Sequence, residues 1–238
     1  MKLLTWWILL GMTALPVSSL AEPPVKLMDQ MAYTKVSFDE LELADITDAD
    51  TITWRANAWF GTDLNKAGLK SRRKRNDGET ESKEIQLLYS RAISAFWDLQ
   101  LGYRHDFKPT PEQDWAVVTL QGMAPYFIEV ETELFYGSGG QTSLRVRAEY
   151  EAALTQRLTL TPEVELTAYG DDDTKRGVES GLSKLETGLR LRYDITRKFA
   201  PYIGVTWSSK LGDTNDLAKS ADEDTHEMNL VAGFRLWF

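Results

Sequence analysis

From Phe127 to Phe238 apolar and charged residues alternate with a period of two, and turn residues interrupt the alternation at intervals. Ile128-Glu129-Val130-Glu131-Thr132-Glu133-Leu134 is the plainest copy. Leu144-Arg145-Val146-Arg147-Ala148-Glu149-Tyr150-Glu151 and Leu185-Glu186-Thr187-Gly188-Leu189-Arg190-Leu191-Arg192-Tyr193 repeat it. Successive strand side chains point to opposite faces, so this period gives strands with one apolar and one charged face. A soluble sandwich would bury the apolar face against a second sheet. Here the last run ends Arg235-Leu236-Trp237-Phe238, with an aromatic final residue. The pattern predicts an all-β fold, a transmembrane antiparallel up-and-down β-barrel with its apolar face in lipid and its charged face lining the lumen.

Ten strand-like runs are predicted, at about 52–64, 82–91, 96–107, 114–123, 126–136, 141–153, 158–169, 183–194, 201–211 and 225–238. A barrel of about 10 strands follows, with 8 or 12 as alternatives, an even count placing both termini in the periplasm. The connections Ile93-Ser94-Ala95, Ala124-Pro125, Thr155-Gln156-Arg157 and Thr196-Arg197-Lys198 are tight. Those at 65–80, 108–113, 137–140, 170–181 and 212–224 are mostly longer and rich in Gly or Asp, as expected of extracellular loops. Aromatics gather at strand ends: Phe96, Trp97, Tyr126, Phe127, Tyr193, Tyr202, Trp237 and Phe238 at the turn side, and Trp115, Phe135, Tyr136 and Tyr169 at the loop side. Two interfacial girdles are the expectation.

Composition adds targeting and a charge sign. Lys2, the apolar stretch Leu3 to Val17 and Ser19-Leu20-Ala21 read as a signal peptide, 1–21, for export to a Gram-negative outer membrane. Residues 22–50 are acidic and irregular and read as a periplasmic segment, leaving 51–238 for the barrel. There is no cysteine, which excludes disulfides and thiolate metal sites. The formal net charge of −9 argues against nucleic acid as a partner and suits cations. A mean hydropathy of −0.35 is compatible with a barrel, since every second strand residue is polar.

By parity the lumen receives Glu84, Asp98, Asp106, Glu129, Glu131, Glu133, Glu149, Glu151, Glu163, Glu165, Glu186, Asp194 and Glu227, against Arg55, Arg104, Arg145, Arg147, Arg190, Arg192, Lys210 and Arg235. A small barrel has an interior that side chains fill, so opposite charges there must pair. Two readings stand: a salt-bridge plug without transport, or a cation-attracting path set by Glu129, Glu131, Glu133, Glu149, Glu151, Glu163, Glu165 and Glu186. Soft-metal ligands are few. Met28 and Met31 flank Asp29-Gln30, Met123 shares the inward phase of Thr119 and Gln121 near the periplasmic rim, and Met228 shares the outward phase of Leu230 and Phe234. His105 also follows an outward phase, and His226 adjoins an acidic loop. Thioether suits Cu(I) and imidazole suits copper generally. The acidic loops with His226 could activate water, but no nucleophile motif accompanies them, and the chain is expected not to be an enzyme.

Several longer runs go beyond barrel grammar: Leu87-Leu88-Tyr89-Ser90-Arg91-Ala92-Ile93-Ser94-Ala95-Phe96-Trp97-Asp98-Leu99, Gln121-Gly122-Met123-Ala124-Pro125-Tyr126, Phe199-Ala200-Pro201-Tyr202-Ile203-Gly204-Val205 and the ending Val231-Ala232-Gly233-Phe234-Arg235-Leu236-Trp237-Phe238. With Trp59-Phe60-Gly61-Thr62-Asp63-Leu64 they resemble the copper resistance protein B family over about residues 38–238. The resemblance implies a copper-tolerance role in the outer membrane, with copper as the bound or transported ion. It further implies periplasmic copper-binding or copper-oxidising proteins as partners. The expected oligomeric state is a monomer. Family members often carry a Met- and His-rich N-terminal segment. This chain departs there, since no histidine precedes His105.

Overall fold

A computed structural model describes residues 31–44, 51–76 and 78–238. The expected signal peptide and Met28 lie outside the described residues. Twelve staves form one closed antiparallel barrel: β1 (Tyr33–Ala44), β2 (Thr51–Gly61), β3 (Asn65–Asn76), β4 (Glu79–Ala92), β5 (Trp97–Lys108), β6 (Gln113–Ala124), β7 (Ile128–Gly137), β8 (Thr142–Tyr150), β9 (Leu158–Tyr169), β10 (Gly181–Tyr193), β11 (Phe199–Lys210) and β12 (His226–Trp237). Ala152–Ala153 carries the line of β8 past Glu151 and pairs with β9. Each strand pairs with its neighbours in sequence, and β1 with β12 closes the ring. Closure leaves no unpaired edge, the condition for crossing lipid with strands.

Twelve is one of the two alternatives to ten, and the two additional staves lie where the hydropathy pattern is weakest. Residues 22–50 are expected to be an irregular acidic segment, yet Tyr33–Ala44 is the first stave. A bulge at Asp39, between Phe38 and Glu40, breaks its period of two: Leu41 and Leu43 alternate with the buried Glu40 and Glu42 only beyond it. The expected loop at 65–80 is instead β3 and a hairpin into β4. β3 reads as polar because both its faces carry cations. The sequence Asn76-Asp77-Gly78 carries the Asp-Gly signature of a tight hairpin, and Gly78 lies at φ +77°, where a side chain would be strained.

The end where β1 begins and β12 ends carries short turns. The opposite, extracellular end carries the two longest connections, 170–180 and 211–225, the latter with helix α1 (Gly212–Ser220). They lean on each other: the Glu179 N–H donates to Thr214 Oγ1 at 3.0 Å and the Leu211 N–H to the Ser183 carbonyl at 2.9 Å. Leu87, Tyr89, Leu101, Tyr103, Leu134, Tyr136 and Ile203 are exposed on the outer wall, the lipid-facing surface. Three aromatics expected in the girdles turn inward instead. Trp115 and Phe135 join Leu88 and Val117 in a buried cluster inside the barrel, and Tyr202 is buried against Glu42.

Candidate functional site: the ion-paired lumen and its two mouths

The lumen is crossed by layers of paired charge. At the extracellular side Asp106 Oδ2 accepts from Trp115 Nε1 (2.9 Å) and Arg176 Nη2 (2.8 Å), while Oδ1 accepts from Arg104 Nε (2.6 Å). Arg104 and Arg145 lie over the Phe135 ring at 4.5 and 5.3 Å, and Arg176 lies 5.8 Å over Trp115. Below them Glu84 meets Arg104 at 2.8 Å and Arg145 at 3.1 Å. Arg72 reaches Glu165 at 3.3 Å and Glu84, Glu131 and Glu133 at 3.7 Å each. Lys70 bonds Glu131.

Nearer the periplasm Glu163 is a hub. It takes Arg147 at 2.7 Å, Arg190 at 2.9 Å and Arg55 at 3.2 Å. Arg190 also binds Glu42 (2.9 Å) and Glu40 (3.2 Å), and the Tyr202 hydroxyl donates to Glu42 at 3.2 Å. Glu149 holds Arg147, Glu151 bridges Arg192 and Arg235 at 2.8 Å each, and Glu186 pairs with Lys184 at 2.8 Å. A cavity of about 40 Å³ lined by Glu40, Glu149, Glu163, Arg147 and Arg190 is left in this half. That is room for about one water.

Every acid of the expected field therefore faces the lumen network except Glu129, which is exposed at the periplasmic mouth and, among the described residues, accepts only from Gln121 Nε2, at 3.2 Å. Glu129 is the cross-strand partner of Met123, itself 41% exposed. β1 and β3 bring in groups absent from the parity reading: Glu40 and Glu42 as acids, and Lys66, Lys70, Arg72 and Lys74 as bases. With them fifteen acids stand against twelve bases, so the expected excess of five falls to three. The missed signals were the Asp-Gly turn and the alternation beyond Asp39. Arg176 had no signal in the pattern, because it reaches the lumen from a loop.

The extracellular mouth is covered by that loop. Arg176 is 6% exposed at its side chain although it sits on an extracellular connection. Gly177 at φ +73° ends the short turn Thr174–Arg176 and returns the chain outward. The Ser180 N–H donates to Asp172 Oδ1 at 2.8 Å, and the Thr142 N–H to Asp171 Oδ2 at 3.2 Å. The hydrogen bonds from Ser180 hold the Asp172 carboxyl below its ordinary range, whereas desolvation and then the Asp172 charge push Glu179 upward.

The expected soft ligands do not converge. Met31 is exposed just before β1, Met228 is 73% exposed on the outer wall beside Trp207, and Met123 stands at the periplasmic mouth. His105 and His226 lie near the extracellular ends of β5 and β12. His105 Nδ1 sits 2.6 Å from Asp114 Oδ1 and its Nε2 3.7 Å from Glu112. His226 Nδ1 is hydrogen-bonded to Ser209 Oγ at 2.9 Å, a neighbour the sequence did not suggest. Ser209 is buried, and no carboxylate among the described residues forms an ion pair with His226, so this couple lacks the orienting acid of a hydrolytic triad. Among the described residues no group of three His, Cys, Asp or Glu is arranged to hold a metal ion.

A family model described as copper resistance protein B precursor matches residues 32–238. The chain is 46% identical over 200 residues to a copper resistance protein B homolog of Pseudomonas syringae pv. tomato, covering 84% of this chain and 68% of that protein. It is 44% identical over 203 residues to copper resistance protein B of Escherichia coli, covering 85% and 69%. Among solved structures it is similar to the NanC porin at a TM-score of 0.54 and 12% identity, covering 86% of this chain and 99% of that one. That last likeness is one of fold.

Proposed function

Because the chain belongs to the copper resistance protein B family, we propose that it binds copper ions at its periplasmic mouth and passes them along a lumen that ion pairs keep shut to bulk solutes. It is an outer-membrane β-barrel with a role in copper resistance. The observation that carries the finer reading is the Met123–Glu129 pair. Glu129 is the one acid of the expected field whose carboxylate meets no cation among the described residues, and its cross-strand neighbour supplies a thioether. A thioether favours Cu(I) and a carboxylate tolerates Cu(II), so the pair can receive either state. Beyond the mouth each step meets a carboxylate already shared among arginines. Movement through the lumen then means exchanging a guanidinium for the ion rather than crossing open water.

Copper entry into liposomes holding a copper-quenched dye tests this reading. The reconstituted barrel should exceed protein-free vesicles, and Met123→Ala with Glu129→Gln should weaken copper binding to the folded protein. Flux equal to that of empty vesicles, with binding unchanged in the double variant, rejects it. A second reading, a plugged barrel without transport, is favoured by the density of the ion-pair layers. It expects no flux from wild type or from any variant of the mouth.

A further inference from the structure

Every arginine that enters the lumen meets a carboxylate, but a row of cations on the outer wall does not. Trp54 on β2, Arg73 on β3, Lys83 on β4 and Lys108 on β5 are successive cross-strand partners. The row lies beside the β3–β4 hairpin, at the end of the barrel opposite the start of β1 and the end of β12. Its phase is outward: Arg73 falls between the lumenal Arg72 and Lys74, Lys83 precedes the buried lumenal Glu84, and a register shift between Lys83 and Glu84 sets Lys108 opposite Lys83 although Asp106, two residues earlier, is lumenal. Like charges directly opposite on one sheet face, about 5 Å apart at Cβ, destabilise the pairing. Three in succession need an anion between them.

The protein does not supply one among the described residues. Arg73 Nη2 donates to Thr80 Oγ1 at 2.7 Å and its guanidinium lies 5.3 Å over Trp54, while its Nε is buried without a partner. Lys83 Nζ sits 4.3 Å over Phe107, and Lys108 Nζ donates to Thr110 Oγ1 at 3.1 Å. Three acids near this rim are turned elsewhere. Asp114 is bonded by His105 and Tyr103, Glu112 faces His105, and Glu81 pairs with the lumenal Lys74 at 3.1 Å.

We propose that this row is a binding site for the phosphorylated headgroup of an outer-leaflet lipid. The phosphate bridges Arg73, Lys83 and Lys108, and the adjoining apolar part of the lipid rests on Trp54 and Phe107. A guanidinium presents a fork matched to phosphate oxygens, and lysines add point charge. Aromatic side chains at a membrane interface and basic clusters at headgroup level are the recognised features of lipid-specific contact. The site is independent of the copper reading: it lies on the outer wall and uses none of the lumenal groups.

The test is native mass spectrometry and equilibrium binding of the folded barrel with bis-phosphorylated lipid A, dephosphorylated lipid A and inorganic phosphate as separate probes. Wild type should retain the phosphorylated lipid and bind the dephosphorylated lipid and free phosphate far more weakly. R73Q/K83Q/K108Q should weaken retention by about two orders of magnitude, whereas R91Q/R197Q/K198Q, which removes three cations at the periplasmic end, should not. Equal retention of dephosphorylated lipid A overturns the proposal, and so does free phosphate bound as tightly as the lipid. Undiminished retention by the outer-wall triple variant does likewise. If that variant does not fold, Lys108→Gln alone, at the exposed end of β5, and the comparison of the three probes on wild type still decide the matter.

Discussion

Glu163→Gln should be among the most damaging single-atom changes in the barrel. Oε1 of Glu163 takes Arg147 at 2.7 Å and Arg55 at 3.2 Å, and Oε2 takes Arg190 at 2.9 Å. Glutamine keeps one acceptor oxygen, so the Oε1 side can persist as neutral bonds, while the Oε2 side becomes an NH2 group facing a guanidinium. Charge-assisted hydrogen bonds contribute about 1.5–3 kcal/mol each, and removing one partner of a buried pair costs about 3–5 kcal/mol. The three arginines keep Glu149, Glu40 and Glu42 as partial compensation. That places the loss at the low end, about 3 kcal/mol. Glu186→Gln is the matched control, since Glu186 is half-exposed and its one ion pair is with Lys184. An exposed pair contributes only about 0–1 kcal/mol. Reversible urea unfolding in lipid vesicles, followed by tryptophan fluorescence, gives both values. If Glu163→Gln costs no more than Glu186→Gln, the lumen network is not a stabilising core and the layered description of the barrel interior is wrong.

Arg176→Gln removes the loop guanidinium from Asp106, which keeps Arg104 and Trp115, so about 1–3 kcal/mol is lost and the mouth loosens. Planar-bilayer recordings should show conductance above wild type, and an unchanged trace means the loop does not close the mouth. Phe135→Ala empties a site 1% exposed inside the barrel and should cost about 3–5 kcal/mol by the same unfolding assay. The Asp172 carboxyl is held below its ordinary range, so its contribution to the loop is fully present above about pH 4 and is lost as pH falls through the folded value. Asp172→Asn should reproduce the acid state at neutral pH. Hydrogen exchange at the Ser180 amide should then accelerate, and exchange equal to wild type would refute the link.

The architecture was legible wherever the outward face stayed apolar. Every second position of β7 and β8, and of β10 from Leu185, is Ile, Val, Leu, Ala, Thr or Tyr, and the facing of these strands follows from that alone. β1 and β3 were illegible for two different reasons. In β1 the bulge at Asp39 shifts the phase, so no window of constant parity spans the strand. In β3 the outward positions near the rim are Arg73 and Arg75, and charge on both faces erases the contrast on which a period of two depends. Trp115 and Phe135 were misplaced because an aromatic at a strand end is assigned to the interface by habit of composition. Their parity with Thr119 and Glu133 already pointed them inward. The candidate copper ligands were legible only as residue types, because the thioethers and imidazoles of the described residues sit at separate ends and faces.

The same strand that escaped the pattern alters the electrostatics of the lumen. Lys66, Lys70, Arg72 and Lys74 stand opposite Asp98, Glu131, Glu165 and Glu227, and each is ion-paired there. A field of unpaired carboxylates running the length of the barrel is therefore replaced by local ones. Along the row Met123–Glu129–Glu149–Glu163, successive cross-strand neighbours on β6 to β9, three acids follow one another, and the row begins at the open periplasmic rim. Like charges side by side repel, and a cation lodged beside Glu129 and Glu149 relieves that repulsion. On the proposed reading the pull on a metal ion is thus concentrated at the mouth where the exposed thioether of Met123 stands. Deeper in, the ion would compete with arginines for the carboxylates. On the proposed reading, selectivity against abundant monovalent cations would follow from the same competition: a singly charged ion gains too little from a carboxylate to displace a guanidinium, whereas a divalent ion or a thioether-bound Cu(I) gains more at the first step.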